Sequence, residues 1–207
     1  MTATVVNREQ CIEWSVASLP HPQHLVSGDL HLVAPTPRGV LIAVVDGLGH
    51  GDDATTAART AIAVLAEHSA EPLVPLMQCC HRALRNTRGA VMTLVAIDTE
   101  ASTATLLGVG NVETVLLLAG PEARPRRHSV LLRGGVVGYQ LPALQVEVVP
   151  FTAGDVVVFA TDGVREDFAD ELNVADPMAQ LVDRIMAKKF RGTDDGLVLA
   201  CKYRGTP

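Results

Sequence analysis

Aromatic residues are scarce. They make up 3% of the 207 residues, as one Trp, two Tyr and four Phe. A core built from large rings is excluded, so Val, Leu, Ile and Ala must fill the interior. They can, because 48% of the residues are hydrophobic. Basic charge is also short: 17 Lys and Arg face 23 Asp and Glu, for a net charge of -6. That balance argues against a nucleic-acid partner, which needs a basic surface. No run of about 18 apolar residues occurs, so no membrane helix and no membrane partner are expected. The opening MTATVVNREQ lacks the charged segment and apolar stretch of a secretory signal.

Cysteines are few: Cys11, Cys79, Cys80 and Cys201, with no C-x-x-C among them. Adjacent Cys79 and Cys80 are poorly placed to bridge each other. The expectation is free thiols in a cytoplasmic protein. Zinc on Cys79, Cys80 and His81 is disfavoured, since consecutive residues do not readily share one tetrahedral ion. A G-x-S-x-G nucleophile elbow is absent. So is G-x-G-x-x-G: the DGLGHG segment reads G-x-G-x-G after an Asp, which disfavours a dinucleotide loop.

The length suits one domain over residues 1–207. Period-2 patterning suggests strands at 11–18 and 24–33, and a turn at Pro35, Pro37 and Gly39. A continuously apolar run, Val40 to Val45, reads as a buried strand. Asp52 and Asp53 suit the first turn of a helix to about His68, where carboxylates meet unpaired amides. A second helix starts at Pro72, with Leu73, Leu76, Met77, Cys80 and Leu84 at helical spacing. Strands are expected at 89–98, 103–109, 112–118, 130–132, 144–149 and 156–161. A third helix, capped by Asp176-Pro177, runs to about Lys189, and a last strand covers 197–203. A long strand series with segregated helices implies an α+β fold rather than alternating βαβ units.

Three Asp-Gly pairs punctuate this pattern: Asp46-Gly47, Asp162-Gly163 and Asp195-Gly196. Taken singly, each is an ordinary turn signal. Two of them close apolar runs, and Asp194-Asp195 opens a third. If those tips converge, several anions share one low-dielectric place, and cations relieve the repulsion. All-oxygen sites select magnesium or manganese. Two such ions about 3.5–4 Å apart can activate water and polarise a phosphoryl oxygen.

The segments SGD (27–29), VVDGLGHGDDATTAA (44–58), GVGNVE (108–113), GGVVGY (134–139), GDVVVFATDGV (154–164) and TDDGLVLA (193–200) resemble the protein phosphatase 2C superfamily. Within it they are most similar to the branch that includes the sporulation phosphatase SpoIIE. The GLGHG form, GVGNVE and the compact length point to the stressosome-resetting type in that branch, as does the lack of a preceding sensor region. The resemblance covers about residues 10–203. It implies a four-layer α-β-β-α sandwich with two antiparallel sheets.

It also implies a serine/threonine phosphoprotein phosphatase with two manganese (or magnesium) ions and a hydroxide bridging them. Asp46 matches the carboxylate that bridges the ions, and Gly47 the residue offering a backbone carbonyl. Asp162 and Asp194 match further ligands, Asp195 a second place beside Asp194, and Asp29 an early acidic residue near a metal-bound water or further ion. The eukaryotic general-acid position is Leu48 here, which leaves His50 as the candidate acid. No early phosphate-binding Arg is matched, so Arg165 is a candidate, with a surface role the simpler reading. Asn111 reads as a turn residue that could orient a loop. Arg124, Arg126, Arg127 and His128 could dock an acidic partner or simply form a solvated hairpin tip. The implied substrates are phosphorylated STAS-domain proteins of the stressosome, of RsbS and RsbR type. A non-catalytic docking module on the same fold is the alternative.

Overall fold

Val40 to Val45 is apolar throughout because both of its faces are covered. Val40, Ile42 and Val44 point into one buried cluster, and Leu41, Ala43 and Val45 into another. The same division recurs in Val156–Ala160. There Val157 and Phe159 join the first cluster, while Val156, Val158 and Ala160 join a third. One cluster thus lies between two sheets, and the other two lie between a sheet and its helices. This is the expected α-β-β-α stack.

The computed structural model describes residues 3–5, 11–120 and 127–205. The first sheet contains β1 (Ala3–Val5), β2 (Ile12–Leu19), β7 (Glu113–Leu117), β8 (Arg127–Ser129), β11 (Val156–Ala160) and β12 (Gly196–Tyr203). Its order is β1-β2-β12-β11-β7-β8. The second contains β3 (Asp29–Thr36), β4 (Gly39–Gly47), β5 (Ala90–Asp98), β6 (Thr103–Val109), β9 (Leu132–Arg133) and β10 (Glu147–Pro150), in the order β10-β6-β5-β4-β3. Helices α1 (Asp52–Glu67) and α2 (Leu73–Ala83) cover the second sheet through Ala58, Leu65, Leu76 and Met77. Helix α3 (Met178–Lys189) covers the first through Leu181, Val182 and Ile185.

Several expected boundaries shift. The strand expected from His24 begins only at Asp29, because 24–28 is a loop whose Gly28 carbonyl accepts the Gly47 N–H at 3.1 Å. The strand expected at 130–132 becomes β8 and β9, on different sheets. Val130 N–H still donates to Thr114 of the first sheet, whereas Leu132 aligns with Gly108 of the second. Pairing is antiparallel throughout the described ladders except β6 with β9, which is parallel. The strand expected at 144–149 is β10, starting at Glu147, while Leu144 packs towards the helices. Asp176 does not cap α3. Pro177 holds that position, and the Asp176 carboxylate pairs with Arg184. Asp52 and Asp53 do occupy the first turn of α1.

Candidate metal centre

Strand ends bring the acidic residues together. Asp29 opens β3 and lies opposite Asp46 at the end of β4. Asp162 follows β11, and Asp194-Asp195 precede β12, which is paired with β11. The two sheets therefore contribute carboxylates to one shared edge. Thr161 joins them. Its Oγ1 donates to Asp29 Oδ2 at 2.7 Å and accepts the Leu197 N–H at 2.8 Å. Gly163 permits the close packing: a Cβ there would sit 1.8 Å from the Asp195 carbonyl oxygen, an impossible contact.

A cavity of about 420 Å³ opens at this edge, lined by Asp46, Asp162 and Asp194 with Leu48, Gly49 and Asn111. Asn111 Nδ2 donates to Asp162 Oδ2 at 2.9 Å, so this residue, in the turn between β6 and β7, also holds a carboxylate. Asp195 points elsewhere. Its oxygens accept the His21 and Gly28 N–H groups, each at 2.7 Å, which ties the 21–28 loop to the site. Asp194 Oδ1 accepts the Asp195 N–H at 2.8 Å. Of the two neighbours, Asp194 lines the cavity and Asp195 braces its wall. Gly47 is buried beside them.

Charge is concentrated here with little relief. Among the described residues, none of these five aspartates forms a salt bridge with Lys or Arg. Burial, then the fields of Asp195, Asp162 and Asp194, pushes Asp29 up to about 8, against the hydrogen bond from Thr161. Burial, then Asp29, Asp162, Asp194 and Asp195, pushes Asp46 up to about 9. Asp162 is raised by burial and Asp194, moderated by Asn111 and Arg191. Carboxylates destabilised in this way fit a hard divalent cation, which reverses the penalty. Among the described residues no group of three or more His, Cys, Asp or Glu side chains stands as a metal-holding set in this structure.

Of the other singled-out residues, His50 and Arg165 do not line the cavity. His50 stacks with His24 and His21, at ring centroid distances of 4.5 and 5.3 Å, and does not line the cavity. Arg165 pairs with Asp167 and donates to the Lys188 carbonyl, so it is a surface residue. Arg124 and Arg126 lie outside the described residues. Arg127 is exposed in β8, and His128 Nε2 lies 3.0 Å from Glu147 Oε2. The four cysteines are free, and burial pushes Cys80 up to about 12. Thr161 was not legible as part of the site. Its one signal is its place before Asp162, where a hydroxyl beside a strand tip can reach across to the facing sheet.

Residues 36–203 match the SpoIIE family, described as Stage II sporulation protein E. The chain is 26% identical over 111 residues to the phosphoserine phosphatase RsbX of Bacillus subtilis (strain 168), a match covering 54% of this chain and 56% of that protein. The matched part thus spans little more than half of the curated relative. A structure described as "The bacterial stressosome: a modular system that has been adapted to control secondary messenger signaling" contains a chain 30% identical to this one. It covers 92% of this chain and 99% of that one, with a TM-score of 0.84. The crystal structure of RsbX in complex with magnesium shares the fold at a TM-score of 0.85, with 20% identity over 98% of this chain and 99% of that one.

Proposed function

The chain belongs to the SpoIIE family, and from that premise we propose that it is a metal-dependent serine/threonine phosphoprotein phosphatase of RsbX type. The observation that carries this reading is the meeting of Asp46, Asp162 and Asp194, from both sheets, around one cavity, with no cationic side chain among the described residues paired to them. Asp46, Asp162, Asp194 and the Gly47 carbonyl would hold two divalent ions, magnesium or manganese, with Asp29 behind them and Asp195 fixing the wall. When bound, such ions supply an activated water and neutralise charge on the phosphoryl group. The protein's own part is positioning and preorganised charge. Asn111 orients Asp162, Thr161 orients Asp29, and Asp194 is fixed through the backbone of Asp195. Water adds to phosphorus, the bond to the seryl or threonyl oxygen breaks, and that oxygen takes up a proton. His50 does not line the cavity and stacks with His21 and His24, and in this reading solvent supplies the proton.

The similarity to RsbX and to a stressosome chain supports phosphorylated STAS-domain proteins of the stressosome as substrates. Among the described residues no helix is long and apolar enough to cross a membrane. The test is hydrolysis of p-nitrophenyl phosphate with added manganese or magnesium, with chelator, and in Asp46→Asn and Asp162→Asn. Metal-dependent turnover that falls at least ~100-fold in both variants is expected. Absence of both turnover and metal binding would overturn the mechanism in favour of a docking module.

A further inference from the structure

The loop after β9 has two distinct parts. Gly134, Gly135 and Val136 line the cavity. A few residues on, Tyr139 stands 84% exposed, and among the described residues its ring and hydroxyl have no partner. The backbone between them is held from three sides. Val137 exchanges both hydrogen bonds with Ala90, at 2.9 and 3.0 Å, and its side chain is fully buried. Val136 and Gln140 close the turn with reciprocal N–H to carbonyl bonds of 2.9 Å. The Gly138 N–H donates to His81 Nδ1 on α2 at 2.9 Å. Gly138 has φ +105°, and a Cβ there would lie 2.7 Å from Leu84 Cβ, so the turn is pressed against the end of α2.

A fixed turn that presents one large, amphipathic, unpartnered side chain beside a reaction cavity has the character of a binding anchor. A tyrosine has few rotatable bonds, and on a backbone already fixed it loses little entropy on contact. Tyr139 does not line the cavity, while Val136, three residues before it, does, so a ligand seated in the cavity touches Tyr139 only by extending beyond the lining residues. We propose that the 136–140 turn is a docking post for the protein substrate, with Tyr139 packing on the polypeptide that carries the phosphorylated residue. This rests on the phosphatase reading above and adds where its substrate is gripped. His81 acts as a positioning residue by holding the turn through Gly138.

The experiment compares p-nitrophenyl phosphate with a phosphorylated STAS-domain protein, in manganese, for the wild type, Tyr139→Ala and Tyr139→Phe. Tyr139→Ala is expected to raise KM for the phosphoprotein about tenfold and to leave p-nitrophenyl phosphate kinetics within about twofold, with Tyr139→Phe close to wild type. Equal losses on both substrates, or no change on either, would overturn the docking post. A wild-type dimer that Tyr139→Ala dissociates, seen by sedimentation, would assign the turn to a second copy instead and overturn it too. A wild type active on p-nitrophenyl phosphate but not on the phosphoprotein would remove both that substrate and its docking post. Inactivity on p-nitrophenyl phosphate marks failure of the phosphatase reading itself.

Discussion

Thr161 makes two buried bonds with one hydroxyl, to Asp29 and to the Leu197 amide, and each lies on a different sheet. Replacing it with Val keeps the shape and removes both. A buried N–H and a buried carboxyl group then lose their partner, at a cost of about 1–3 kcal/mol. Thr161→Val should therefore lower the urea midpoint at unchanged slope, and Thr161→Ser should restore most of it. At this scale the sequence was only partly legible. Asp46, Asp162 and Asp194 announced themselves by following or preceding apolar runs, and all three reach the cavity. Thr161 and Asn111 carried no such mark. A hydroxyl or amide reads as a strand end or a turn until the facing sheet is in place. The difference between Asp194 and Asp195 depends on the 21–28 loop, about 170 residues distant in sequence, whose amides claim the second carboxylate.

Elements were easier to read than their seams. The helices at 52–67 and 73–83 and the strand at 103–109 lie where periodicity placed them. Central strands were recognisable because burial on both faces leaves no polar alternation. Seams failed where one stretch serves two partners. The 127–133 segment changes sheets within a few residues, and nothing local encodes that crossing. The turns at Gly163 and Asp195 are a seam of another kind, where two loops touch backbone to backbone. Gly163→Ala must push them apart, and Asp162 and Asp194 move with them. Isothermal titration is expected to show manganese affinity lowered about 10–100-fold, with the circular dichroism spectrum retained.

For the whole molecule, the buried acids couple stability to pH. The ordinary carboxyl value is 3.8, whereas folding holds Asp29 near about 8 and Asp46 near about 9. Between those limits the folded chain binds more protons than the unfolded one. Stability of the metal-free protein therefore falls as pH rises through that window. Melting temperature in chelator should drop between about pH 5 and pH 9, and Asp46→Asn should flatten the slope. Added manganese should raise it more at the alkaline end, where the acids are already deprotonated. A slope that is unchanged in Asp46→Asn would show that other groups set the pH dependence. The four-layer stack was legible as a class from strand-rich order and segregated helices. The parallel β9 and the sheet-to-sheet strut at Thr161 were not, because both arise only when the sheets face each other.

β12 lies between β2 and β11, aligned with β2 from Leu19 back to Ile12. This placement sets an order in time. While the chain is being made, β2 emerges early with β1 on one side, and its other neighbour, β12, emerges only with residues 196–203. Until then the first sheet has a gap at its centre, and Asp194, which arrives just ahead of β12, is missing from the cavity. Sheet closure and the carboxylate set are completed by the same late segment. Interrupted synthesis therefore yields a chain with neither.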